Sequence, residues 1–158
     1  MSTYVVATVD EIPAGGRKIV SIGGRSIGVF NVNGEYFALL NRCPHQAGPL
    51  CEGRLHGLLE AAIPGEYHYS RPGEILRCPW HGWEYDLRTG QSWFDPAKVR
   101  VRSYEAGVQA GSALLANGWQ PGPYVAETFP VSVDQDYVVV EMGPATVGAP
   151  APFPDGAR

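Results

Sequence analysis

Arg42-Cys43-Pro44-His45-Gln46-Ala47-Gly48-Pro49-Leu50 and Cys78-Pro79-Trp80-His81-Gly82-Trp83-Glu84-Tyr85-Asp86 decide how this chain is read. Each stretch opens with a cysteine and places a histidine shortly after it, as Cys43-x-His45 and Cys78-x-x-His81. Two thiolates and two imidazoles are the donors that hold a 2Fe-2S cluster asymmetrically, with Cys43 and Cys78 on one iron and His45 and His81 on the other. Exchanging two thiolates for neutral imidazoles takes the oxidised centre from a net charge of about −2 to about 0, so an added electron is held more readily. The potential is expected within roughly −150 to +300 mV. Pro44 and Pro79 fix φ directly after each cysteine, and Gly48 and Gly82 are expected to permit the close turns that amide-to-sulfur hydrogen bonds need.

The same donors also suit tetrahedral zinc. Zinc fingers group their cysteines together and their histidines together, whereas the order here alternates Cys, His, Cys, His. The spacing therefore favours the cluster over the ion.

These two stretches resemble the cluster loops of the Rieske ferredoxin family, in particular its soluble branch from bacterial ring-hydroxylating oxygenase systems. The resemblance implies an all-β fold of small stacked antiparallel sheets, with a cluster-binding part at about 42–96. It also implies that the second nitrogens of His45 and His81 face outward as the path for the electron. The high-potential branch of the family has a disulfide under its cluster and a serine after the second His-Gly; this chain has Gly48 and Trp80 at the disulfide positions and Trp83 at the serine position. Tyr85 stands where that branch keeps a tyrosine whose hydroxyl reaches a ligand sulfur. The expectation is a potential toward the low end of the range, lifted by Tyr85. Trp80, Trp83 and a covering loop at Gln91–Pro96, with Trp93, Phe94 and Pro96, are expected to surround the cluster and lower the local dielectric.

Working outward, the first 42 residues alternate β-formers with turns: Thr3–Thr8, Arg17–Ile22, Ser26–Val32 and Glu35–Asn41. Asn33-Gly34 between the last two is a two-residue hairpin signal. Between His45 and Cys78 lie 32 residues, more than the compact members of the resembled family carry, which implies an insertion at about 52–73. Pro64-Gly65 and Pro72-Gly73 are turn signals there, with an extra hairpin or loop between them, and Leu55–Ile63 reads as a short helical turn. His68, flanked by tyrosines, reads as a surface residue.

The family's closing strands are expected at Val99–Tyr104 and at Pro130–Val133 with Tyr137–Glu141, leaving about 105–129 as a second insertion. Ala106–Ala126 carries no charge, so this segment is expected to pack over the chain's own sheet or to form a subunit or partner interface. A single domain over 1–142 and a flexible Pro/Ala/Gly-rich tail over 143–158 complete the expected organisation.

A chain of 158 residues buries about two-thirds of its unfolded surface in one domain. No second catalytic domain is expected. His56 and His68 are the only histidines beyond the four-donor set, and none follows His81, so a mononuclear iron site for oxygen chemistry is not expected. Cys51 is left over, which implies a reducing compartment and a small apolar role. No signal peptide or spanning run is visible, and the chain reads as soluble and cytoplasmic. A net charge of −4 argues against nucleic acid and suits docking to a basic partner patch.

The function expected from the resemblance is a one-electron carrier, not an enzyme, between a flavin-dependent NAD(P)H reductase and a terminal oxygenase. Two alternatives stand beside it. One is a Rieske-type small subunit of a larger oxidoreductase such as nitrite reductase; the other is a redox-sensing interaction module.

Overall fold

The computed structural model describes residues 2–92, 98–117 and 135–142. The strands are β1 (Ser2–Thr8), β2 (Arg17–Ile22), β3 (Arg25–Val32), β4 (Glu35–Leu40), β5 (Arg54–Ile63), β6 (Glu66–Arg77), β7 (Glu84–Asp86), β8 (Ser103–Ala110) and β9 (Asp136–Met142), with one short helix, α1 (Gly111–Ala116). Six strands pair in the order β1-β9-β8-β4-β3-β2 and three in the order β5-β6-β7. Every pairing is antiparallel.

The β3–β4 hairpin forms where Asn33-Gly34 predicts it. Both residues take positive φ, 51° and 92°, the primed turn that matches strand twist, and the Gly34 amide donates to Asn31 Oδ1 at 2.8 Å. β3 is buried over its last six residues, because both of its faces are covered. Ile27 and Val29 join one core with Val6, Ile22, Val138 and Val140. Phe30 and Val32 join another with Leu50, Leu76, Tyr85 and Leu87. The strand thus divides two hydrophobic layers, and its buried run is apolar except at Asn31, whose side-chain amide is satisfied by Ile12 O and Tyr36 Oη.

Leu55–Ile63, expected as a helical turn, is strand β5. Leu55, Leu58 and Leu59 imitate helical spacing, but β5 pairs along β6, with Leu55 opposite Leu76 and Leu59 opposite Tyr69. Tertiary pairing overrides a weak local preference. Pro64-Gly65 makes the turn between the strands, with Gly65 at φ 90°. Pro72-Gly73 makes a bulge instead of a turn. His56 pairs with Ile75 and Leu58 with Ser70, so residues 71–74 of β6 stand opposite Gly57 alone. Arg71 sits there at φ 50°, held by Glu74 at 2.5 Å and Asp86 at 2.8 Å. These carboxylates keep a non-glycine residue in the left-handed region.

Strand pairing in β8 runs to Ala110 opposite Asp136, past residue 105 where the second insertion is expected to start. α1 then lays Leu114, fully buried, against Val5, Tyr137 and Val139. The described part of this uncharged segment therefore packs over the chain's own sheet. Residues 118–134, Pro96 with its loop at 93–97, and the tail at 143–158 lie outside the described residues.

Candidate metal centre

The two Cys/His loops are closed by the same pair of backbone hydrogen bonds. In the first, Cys43 N–H donates to Gly48 O at 2.9 Å and Ala47 N–H to Cys43 O at 2.7 Å. In the second, Cys78 N–H donates to Trp83 O at 2.7 Å and Gly82 N–H to Cys78 O at 3.1 Å. In each loop the fifth residue has positive φ: Ala47 at 62° and Gly82 at 74°. Sequence reasoning assigned the first turn to Gly48 and missed Ala47. Gly48 has a different cause, since a Cβ there would meet the Trp80 ring at 2.8 Å. Its smallness lets Trp80 lie across the first loop.

The loops are anchored below. Cys51 N–H donates to Asn41 Oδ1 at 2.8 Å, tying the end of the first loop to the end of β4. The Arg17 guanidinium donates to Cys51 O at 2.8 Å and also to Gly53 O. Cys51 itself is fully buried, packed against Gly28, where a Cβ would meet its sulfur at 2.5 Å. Burial pushes its thiol up to about 12, so it stays a protonated, inert core residue.

The four candidate donors divide by depth. Cys43 and Cys78 are 2% and 3% exposed, while His45 is half-buried and His81 exposed. The imidazole rings meet edge to face with centroids 4.9 Å apart. Trp83 stacks on His45 at 4.1 Å, and Trp80 stands 57% exposed at the rim. Burial, and then the neighbouring His81, lowers the His45 pKa and favours the neutral ring a metal binds. Burial raises the free Cys43 thiol, and the Tyr85 hydroxyl pulls it the other way. Tyr85 Oη lies 3.2 Å from Cys43 Sγ in a fully buried position.

His45 Nδ1 is shut off from solvent without a hydrogen-bond partner. A buried imidazole nitrogen left bare in this way fits a metal ligand. Two buried thiols and two touching imidazoles supply the mixed donor set of a 2Fe-2S cluster. All three cysteines are free. His56 and His68 stand apart: His56 pairs with Glu84 at 3.2 Å, and His68 is exposed on the β5–β6 hairpin. No helix among the described residues is long and apolar enough to cross a membrane.

The chain is 30% identical over 73% of its length to the 3-phenylpropionate/cinnamic acid dioxygenase ferredoxin subunit of Photorhabdus laumondii, covering 94% of that protein. It is 28% identical over 73% of its length to the biphenyl dioxygenase ferredoxin subunit of a Pseudomonas species, covering 92% of that protein. Among solved structures, the ferredoxin of carbazole 1,9a-dioxygenase from Nocardioides aromaticivorans superposes with a TM-score of 0.54 at 24% identity, over 69% of this chain and 91% of that one. The sequence model of the Rieske [2Fe-2S] domain matches residues 2–105, which span β1 to β8 and both loops. With this match, the paired loop closures and the all-β scaffold agreeing, the chain belongs to the Rieske [2Fe-2S] domain family, and its cofactor is the 2Fe-2S cluster.

Proposed function

We propose that this protein is a one-electron carrier that takes electrons from a flavin-dependent NAD(P)H reductase and passes them to a terminal oxygenase of the ring-hydroxylating type. Cys43 and Cys78 would hold one iron, His45 and His81 the other. The cluster supplies a site that accepts and releases one electron at a time. The chain's own residues do the rest. Tyr85 donates toward the Cys43 sulfur, Trp83 fixes the plane of the His45 ring, and His81 brings the site to the surface. The carrier transforms no substrate and works in a reducing compartment, with the Rieske domain occupying 1–142.

One observation carries this reading: the two loops bring two buried, interacting cysteines and two touching imidazoles, one of them exposed, from sequence-distant Cys/His pairs into one site. An electron entering a water-excluded centre with one edge at the surface needs only short transfer to a docked protein. Similarity to dioxygenase ferredoxin subunits along most of both chains supports the partner class.

The test is electron paramagnetic resonance before and after dithionite, with iron and zinc assayed on the same sample. A signal that appears only on reduction, with the low average g of mixed Cys/His ligation, is expected. A silent sample loaded with zinc would overturn the proposal.

A further inference from the structure

Beside the second loop lies an open groove of about 570 Å³ whose walls include Gly53, Arg54, Arg77, Trp80, His81 and Gly82. Arg54 and Arg77 are direct partners across β5 and β6, a register that puts Cβ atoms about 5 Å apart. Like charges placed directly opposite destabilise a sheet. Both side chains are exposed, and no hydrogen bond or ion pair joins either guanidinium to another described residue. Neighbouring guanidiniums are paired, Arg71 with Glu74 and Asp86 and Arg88 with Glu74 and Glu35, whereas Arg77, although opposite Glu84 in the β6–β7 register, forms no ion pair with it. Neither Arg54 nor Arg77 is in an ion pair with a described residue, and both line the groove together with His81.

The placement is specific. A Cβ on Gly82 would come within 3.0 Å of Arg77 Nη2 and 3.1 Å of Nε, so the guanidinium lies against the loop residue that follows His81. Trp80, 57% exposed, lines the same groove. Arginine and tryptophan are the side chains that most often carry interface energy, the one by paired hydrogen bonds to carboxylates, the other by large rigid area. The chain as a whole carries a net charge of −4, so its overall charge favours basic partners while this groove favours the reverse. At contact distance the local pair dominates, because bulk charge is screened beyond about 8 Å at physiological salt.

We propose that the Arg54–Arg77 groove is a docking site for an acidic protein face, with Trp80 as its apolar anchor. The inference rests on the carrier reading and refines it by giving the partner's charge. A partner presents one or two carboxylates to the guanidinium pair, relieving their mutual repulsion. Its redox centre then stands next to His81.

The test uses two haem proteins of opposite surface charge as probes, acidic cytochrome b5 and basic cytochrome c, titrated calorimetrically against the oxidised full-length protein. Cytochrome b5 is expected to bind, and added sodium chloride to weaken it. The Arg54→Glu/Arg77→Glu variant is expected to lose at least about tenfold in affinity for it. The single variants Arg54→Gln and Arg77→Gln, which remove one guanidinium with little risk to folding, are expected to lose part of that. Lysine at both positions should retain more binding than glutamine. Binding of cytochrome c should be unchanged or stronger in the double glutamate variant. Equal cytochrome b5 affinity in wild type and all variants would overturn the proposal. Sedimentation with phosphatidylserine vesicles that depends on both arginines would also overturn it, in favour of a lipid surface. A chain without a reducible cluster would defeat the carrier reading alone, since the titration decides on the groove either way.

Discussion

Tyr85 and Cys43 meet at 3.2 Å, hydroxyl to sulfur, with Tyr85 fully buried and Cys43 nearly so. The strand β7 that carries the tyrosine pairs with β6, and Tyr85 is opposite Leu76, so the hydroxyl's direction is set by the sheet and not by a mobile loop. A donor aimed at a ligand sulfur stabilises the more negative, reduced state. Replacing Tyr85 with Phe should lower the midpoint potential by about 20–60 mV, the one-electron equivalent of a hydrogen bond of about 0.5–1.5 kcal/mol. Protein-film voltammetry checks this, and an unchanged midpoint would remove Tyr85 from the tuning of the site.

Ala47 occupies the left-handed region at φ 62° where the equivalent position in the second loop is Gly82. Ala47→Gly should raise stability by about 1 kcal/mol, because the backbone strain exceeds the entropy glycine adds to the unfolded chain. Ala47→Val should lower it. Urea unfolding of the three proteins ranks them, and a glycine variant less stable than wild type would contradict the strain.

Cys51 gives a pH signature. Its thiol is raised from 9.0 to about 12, chiefly by burial, so the folded state keeps a proton that the unfolded state gives up. Unfolded chains then bind fewer protons than folded ones, and stability falls as pH rises from about 9 to about 12. The slope from this group approaches about 1.4 kcal/mol per pH unit. Cys51→Ala should flatten that limb and cost about 1 kcal/mol at neutral pH through lost packing. Alkylation of Cys51 by iodoacetamide in the native protein should be far slower than in urea.

Glu74 titrates in the opposite sense. Hydrogen bonds from Arg88 at 2.9 Å, and then from Arg71 at 2.5 Å, hold its carboxyl below 4.5 against the effect of burial. The stability it contributes is present above pH 4.5 and is lost as pH falls through the lowered value. Glu74→Gln should cost about 1–2 kcal/mol at neutral pH, discounted for the partial exposure of Arg88, and should flatten the acid limb. Thermal melts between neutral and acid pH give both numbers; parallel curves for the two proteins would show that the cluster Arg71–Glu74–Arg88 contributes no linkage.

Much of this molecule is legible in one dimension because the deciding signals are local. Asn33-Gly34 encodes its own turn, and the paired Cys/His spacing encodes two loops closed in the same way. What escaped reading depends on partners distant in sequence. Leu55–Ile63 takes its conformation from β6, not from its leucines. Ala47 takes a glycine's backbone angle because the bonds at Cys43 close the loop around it. Arg54 and Arg77 lie 23 positions apart and become neighbours only through register. Turn chemistry and ligand type are properties of residues; adjacency across strands is a property of the fold.

β3 is a party wall between two rooms. Ile27 and Val29 furnish the side shared with β1 and β9, while Phe30 furnishes the side shared with Cys43, Cys78 and Tyr85. Neither room keeps its shape if the wall shifts, so the iron-binding end and the terminal strands stand or melt as one body. Stripping the metal should therefore speed amide exchange in β1 and β9, where no donor lies.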